Sequence, residues 1–135
     1  MSTVAWDGKN ISADKQVTAG TLKFSVGTKL RLISDGRVCG GTGTYTDLDL
    51  FVEWVEHGKA FEPDDDFEAL VVSKDGAHLY DVRLRPIPVQ APFAIGSGSD
   101  FAIGAMAAGA SASKAVGIAT QYNPNTGFGV DSIRI

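Results

Sequence analysis

Three Asp-Gly dipeptides, each set between two runs of strand-forming residues, constrain the fold more than any other feature of the chain. They are Asp7-Gly8, Asp35-Gly36 and Asp75-Gly76. Asp-Gly favours a two-residue hairpin turn, because both central positions of that turn take positive φ. Thr3-Val4-Ala5-Trp6 leads into Asn10-Ile11-Ser12-Ala13, and Lys29-Leu30-Arg31-Leu32-Ile33 into Arg37-Val38-Cys39. Ala69-Leu70-Val71-Val72 leads into His78-Leu79-Tyr80-Asp81-Val82. Three antiparallel hairpins are expected.

Helical signals fall between and after these hairpins. Leu48, Phe51, Val52 and Val55 stand at i, i+3, i+4 and i+7, one apolar stripe. This predicts a helix from Thr46 to His57, capped by Thr46 and ended by Gly58. A second region, Ser99 to about Gln121, is rich in alanine and carries Phe101, Ile103, Met106, Val116 and Ile118. Gly109-Ala110-Ser111 divides it into two short helices, with Ser111 capping the second. So many small residues imply close packing against a sheet or between helices. Asn123-Pro124-Asn125-Thr126-Gly127 reads as a turn, and about 128–135 as a closing strand. Strands and helices are segregated, so the expected class is an α+β layered domain rather than a βαβ fold.

The 135 residues suit one domain, 1–135, with a proper core. The net charge is −4, and no basic run exists to neutralise phosphates, so no nucleic-acid partner is expected. No apolar stretch approaches the roughly 20 residues that span a bilayer, so no membrane partner is expected either. The N-terminus lacks a charged segment followed by an apolar one, and Cys39 is the single cysteine. Both features point to a reducing, cytoplasmic compartment. The acidic run Glu62-Pro63-Asp64-Asp65-Asp66 lacks calcium-loop spacing and reads as a solvated loop, so neither metal nor cofactor is expected.

Five segments, in order, resemble the HslV peptidase and proteasome β-subunit family of N-terminal-nucleophile hydrolases. Ser2-Thr3-Val4-Ala5-Trp6 is similar to the family's opening strand, which begins at a mature N-terminal Thr, here Ser2. Asp14 matches the Asp that the first hairpin returns to the same site. Lys29-Leu30-Arg31-Leu32 resembles the strand carrying the catalytic-site Lys, and Lys29 takes its place. Val38-Cys39-Gly40-Gly41-Thr42-Gly43 resembles the glycine-rich segment whose first Gly, matched by Gly40, donates the oxyanion-hole N–H. Gly96-Ser97-Gly98 precedes a helix pair, as in the family, and Ser97 matches its site-supporting Ser. Asn123 to Gly127 resembles the last motif, with Asn123 where Asp is usual and Thr126 at its hydroxyl position; Thr3 and these two are secondary candidates.

The resemblance implies an αββα sandwich, two antiparallel sheets between helical layers. One outer helical layer is reduced, because Gly58 to Asp66 leaves no room for the family's second long helix. This compactness resembles phage-encoded proteasome-like proteins. Also implied are a peptide or protein substrate, a homo-oligomer, and an unfoldase ATPase partner for which the sequence has no docking signal of its own.

The resemblance implies the chemistry as well. A serine hydroxyl needs a base, and in this family the base is the chain's own α-amine, with an ordinary pKa of about 7.7–8.0. Initiator Met is generally removed before a residue as small as Ser2. A Lys29 cation disfavours protonation of the amine, and Asp14 holds Lys29 in place. Each residue also has a plain structural reading: Asp14 as a turn contact, Lys29 as a strand-edge lysine, Ser97 as a turn residue, Gly40 as a tight backbone path. Cys39 reads as a small buried hydrophobe and His57 as a helix-end residue answering the dipole. Two other functions stay open: a catalytically inactive scaffold of the same fold, favoured by Asn123 and the missing helix, and a binding module that uses the cleft without turnover.

Overall fold

A computed structural model describes residues 2–135; Met1, whose removal the catalytic reading requires, lies outside the described residues. The chain runs β1 (Val4–Trp6), β2 (Asn10–Asp14), β3 (Gln16–Ala19), β4 (Leu22–Ser25), β5 (Leu30–Leu32), β6 (Val38–Thr42), α1 (Asp47–His57), β7 (Glu68–Ser73) and β8 (Gly76–Tyr80). It continues with β9 (Ile87–Val89), β10 (Phe93–Ile95), α2 (Ser99–Ala107), α3 (Ala112–Tyr122) and β11 (Val130–Arg134).

All three expected hairpins form, but Asp-Gly is the central pair of none. In the first, Asp7 N–H bonds Asn10 O, which leaves Gly8-Lys9 central, and Asp7 Oδ1 accepts from the N–H groups of Lys9 and Asn10. In the second, Ile33 pairs with Arg37 around a three-residue loop that ends at Gly36, φ 94°. In the third, Ser73 faces Gly76 and the centre is Lys74-Asp75. The Asp7 and Asp35 side chains stabilise their bends by accepting local N–H bonds, in the third bend Ser73 Oγ accepts from Asp75 N–H, and glycine takes a neighbouring positive-φ position.

The strands build an antiparallel four-stranded sheet, β10-β1-β2-β11, and an antiparallel five-stranded sheet, β5-β6-β7-β8-β9. Val4, Trp6, Ile11, Ala13 and Ile95 of the first sheet meet Leu30, Val38, Leu70, Val72 and Ala77 of the second in a shared core. The other face of the first sheet is small: Ala5 and Ala94 pack beneath Ala102, Met106, Ala112, Ala115 and Val116 of α2 and α3. Alanine on both sides lets the helix pair lie close. The other face of the second sheet meets α1, where Leu48 and Phe51 sit on Cys39, Ala69, Val71 and Tyr80. Phe51 is ringed by Trp54, Phe67 and Tyr80 with centroids 5.1 to 5.8 Å away. Each such pair contributes about 1 kcal/mol beyond its buried area.

The helix boundaries agree with the sequence. Gly58 closes α1 in the left-handed conformation, and Ser111 Oγ caps α3 by accepting from Lys114 N–H. Thr46 does not act as a side-chain cap; its backbone is already helical, and Asp47 and Asp49 supply the acidic first turn. Four strands had no sequence signal. The β3–β4 hairpin pairs only with itself and is largely exposed, so it shows no buried face. Of the others, β9 carries Pro88 at a sheet edge, where the missing N–H is tolerated, and β10 is only three residues long. Residues 58–66 form no helix, so among the described residues α1 is the one helix on the five-stranded sheet, with Phe61, Phe67 and Leu84 packing beside it from loops. No helix among the described residues is long and apolar enough to cross a membrane.

Candidate active site

The first hairpin fixes the position of Asp14. Val4 faces Ala13, so one step outward Thr3 faces Asp14, and Asp14 N–H bonds Thr3 O at 3.2 Å. Asp14 Oδ1 accepts from Thr3 N–H at 3.1 Å. Its Oδ2 accepts from the N–H groups of Gln16 at 3.2 Å and Gly127 at 3.0 Å. The carboxylate is 0% exposed, so every acceptor position counts.

Lys29 precedes β5 and reaches from the second sheet into this site. Its ammonium donates to Asp14 Oδ1 at 2.9 Å, Ser2 Oγ at 2.5 Å and the Gln16 carbonyl at 2.5 Å. An ammonium has three protons, and here three acceptors take them. Burial of Lys29, which is 3% exposed, holds its pKa below the ordinary lysine value, while the Asp14 charge and hydrogen bond pull the other way. Desolvation is the larger effect.

A second, uncharged cluster lies behind Ser2. Ser97 Oγ lies 3.4 Å from Ser2 O and 3.1 Å from Asn123 Oδ1, with one proton for the two acceptors. Asn123 Nδ2 donates to Ser97 O at 3.1 Å, and Thr126 Oγ1 donates to Asn123 Oδ1 at 3.0 Å. The Thr3 hydroxyl meets Thr126 Oγ1 at 2.8 Å. The flanking glycines give this cluster room. A Cβ at Gly96 would stand 2.2 Å from Ser2 O, and one at Gly98 would stand 2.1 Å from Thr3 Oγ1.

The structure thus brings Ser2, Asp14 and Lys29 into contact and sets Ser97, Asn123, Thr126 and Thr3 beside them. Gly40 is elsewhere. Its missing Cβ would fall 2.7 Å from Val4 Cγ1, in the core between the sheets. Gly41 N–H bonds Lys29 O at 3.4 Å, so antiparallel alternation turns the Gly40 N–H toward Leu70 on β7. The glycine that emerges from the strand is Gly43, one residue past β6, at φ 93°. It lines the same cleft as Ser2 and Lys29, and its N–H meets no acceptor among the described residues. The sequence signal for Gly43 is the third glycine of the run; what it lacked was where the strand stops.

That cleft has a volume of about 410 Å³. One wall is the β3–β4 hairpin and the segment after it, with Val17, Thr18, Phe24 and Val26. The other is the path from Gly41 through Thr46, with Leu48 and Asp66. The other nucleophile and base candidates take no part. Burial pushes the Cys39 thiol up to about 12, and Cys39 packs under α1. His57 is exposed at the end of α1, and His78 is exposed on β8. In the acidic loop, Asp64 joins the loop to α1: its N–H bonds Asp47 Oδ2, and its Oδ2 accepts from Thr44.

Solved structures share this architecture over nearly the whole chain. BPH from Thiobacillus denitrificans in complex with epoxomicin matches with a TM-score of 0.76 at 21% identity, over 99% of this chain and 97% of that one. A second BPH structure matches with a TM-score of 0.74 at 22% identity, over 99% and 96%. Eukaryotic HslV from Trypanosoma brucei matches with a TM-score of 0.69 at 24% identity, over 98% and 97%. No family model and no curated protein matches the sequence. At these identities the likeness establishes the fold, that of the proteasome β-subunit and HslV type of N-terminal-nucleophile hydrolase.

Proposed function

We propose, from this proteasome-like fold, that the chain is an N-terminal-nucleophile amide hydrolase acting on peptides or proteins, with Ser2 as nucleophile once Met1 is lost. The observation that carries the reading is the Lys29 ammonium, held by buried Asp14 against Ser2 Oγ. A plain strand-edge lysine would keep its charge in water. This one gives up that solvation to meet a hydroxyl at the mouth of a cleft.

Removal of Met1 turns the Ser2 nitrogen into an α-amine, the base this chemistry needs. A cation as near as Lys29 lowers the amine's pKa and enlarges its neutral fraction at neutral pH. The amine takes the Ser2 Oγ proton as Oγ bonds to the substrate carbonyl carbon. The Gly43 N–H, rather than that of Gly40, is assigned to the resulting oxyanion; a donor of this kind lowers the barrier by roughly 3–4 kcal/mol. Collapse breaks the C–N bond, the leaving amine takes the proton, and an ester remains on Ser2. Water, deprotonated by the same α-amine, cleaves the ester and restores Ser2. Ser97, Asn123 and Thr126 are positioning residues that hold the Ser2 carbonyl and the Thr3 side chain.

The fold supports assembly into a homo-oligomer and, more distantly, an ATPase partner. A second reading, a scaffold without turnover, is favoured by Asn123, a carboxamide where the resembling family has a carboxylate. N-terminal sequencing and intact mass, before and after incubation with epoxomicin, test the proposal. Loss of Met1 with a stoichiometric adduct that Ser2→Ala lacks is the expected result. Retained Met1 with no adduct sinks the hydrolase and leaves the scaffold.

A further inference from the structure

We propose that the cleft selects an uncharged, apolar side chain on the substrate residue whose carbonyl Ser2 attacks, and that Phe24 is a specificity-determining residue. This rests on the reading of Ser2 as nucleophile and extends it to the substrate class. Ser2 opens directly onto the cleft, so the side chain next to the attacked carbonyl must enter it. Val17, Phe24, Val26, Tyr45 and Leu48 supply apolar wall, and about 410 Å³ is ample for one large side chain and its backbone.

Charge is excluded from both directions. The one cation of the lining, Lys29, has its three protons committed to Ser2, Asp14 and Gln16, so none is left for an acidic side chain. The one anion, Asp66, is exposed beside Gly43, where it repels an acidic side chain and is itself solvated. A basic side chain would leave water for apolar walls with no buried counter-charge to meet it. An apolar side chain has no such cost and removes the walls from water.

Phe24 stands opposite Val17 in the β3–β4 register and is 41% exposed. The hairpin carrying it pairs with no other strand, so Phe24 can change without disturbing either sheet.

The test uses protein with Met1 removed and three fluorogenic peptide amides that differ only in the last residue: Leu, Arg or Glu. A small β-lactone without a peptide side chain reports Ser2 reactivity alone. It acylates Oγ as its ring C–O bond breaks, and the ring oxygen takes the hydroxyl proton. The Leu amide should exceed the Glu and Arg amides in kcat/KM by roughly 10- to 200-fold, the range of apolar pocket discrimination. Phe24→Ala should narrow the Leu-to-Glu ratio, and Phe24→Glu should move the preference toward Arg. These ratios do not depend on how much protein is folded. Equal or better turnover of the Arg or Glu amide, with lactone labelling intact, overturns the substrate class and leaves the nucleophile standing. Lactone labelling without turnover of any amide also overturns the class. Absence of both labelling and turnover removes the nucleophile and the class together.

Discussion

The two polar clusters that meet at Ser2 are built on opposite principles. The Asp14–Lys29 cluster is charged, buried and saturated: the ammonium has three acceptors, and the carboxylate has three N–H donors besides the ammonium. The Ser97–Asn123–Thr126 cluster is neutral and partly exposed, and one proton of Ser97 faces two acceptors. Saturation fixes geometry, and a shared proton leaves it adjustable. On the proposed mechanism, the first cluster sets whether Ser2 is activated, and the second tunes how well the N-terminal segment is held.

The largest expected effect comes from breaking the charged cluster on one side only. Lys29→Met strands a buried carboxylate, which costs about 3–5 kcal/mol of stability. Lys29→Met with Asp14→Asn should recover much of that loss, since no bare charge remains. Neither variant should form the epoxomicin adduct. Urea unfolding and intact mass check both halves. Equal stability of the single and double variants would break the contrast.

The next test separates two glycines that the sequence could not. Gly40→Ala drives a methyl into Val4 and should cost about 1–3 kcal/mol, with kcat per folded molecule retained. Gly43→Ala meets a positive φ and the Asp66 carbonyl 2.8 Å away, so the loop must move. Displacing its N–H should lower kcat by about 10²–10³. A loss of kcat in Gly40→Ala instead would return the oxyanion role to the sheet.

How far the sequence could be read follows the same line between rigid and ambiguous segments. Asp7-Gly8 between two strand-forming runs made the first hairpin legible, and its register alone puts Asp14 opposite Thr3. Lys29 was legible through the resemblance of Lys29-Leu30-Arg31-Leu32 to the family strand that opens on a lysine. The glycine run 40–43 was not, because glycine has no side chain to reveal which face it takes or where the strand ends. The β3–β4 hairpin was illegible for a different reason: its residues face solvent or the cleft, so no buried stripe marks it.

A smaller effect sharpens the contrast in the alkaline range. Burial lowers the folded pKa of Lys29 below its ordinary 10.5. Between that lowered value and 10.5, the unfolded chain binds a proton that the folded chain does not, so this group makes stability rise with pH. Cys39 acts oppositely. Its thiol goes from 9.0 to about 12, so stability falls with pH above 9.0. In a Cys39→Ala background the rise should become visible, and adding Lys29→Met with Asp14→Asn should flatten it. The neutral cluster has no proton to contribute here, so Ser97→Ala should leave the slope alone.

The smallest effect is expected from charging the neutral cluster. Asn123→Asp puts a carboxylate where Oδ1 now accepts from Ser97, Thr126 and the Asn125 N–H. Those three bonds are kept and strengthened, but the Nδ2 bond to Ser97 O is lost and two oxygens face each other. Stability should therefore change by less than about 1 kcal/mol. The charge has a clearer consequence. A negative group near the Ser2 nitrogen favours the protonated α-amine and raises its pKa, against the effect of Lys29. The acid limb of kcat/KM should move to higher pH, with the plateau rate nearly unchanged. On the proposed mechanism, Asn123 in wild type keeps the amine neutral further into the acid range than a carboxylate would. An acid limb that stays in place, or moves to lower pH, would show that the neutral cluster is not electrostatically coupled to Ser2 and acts by packing alone.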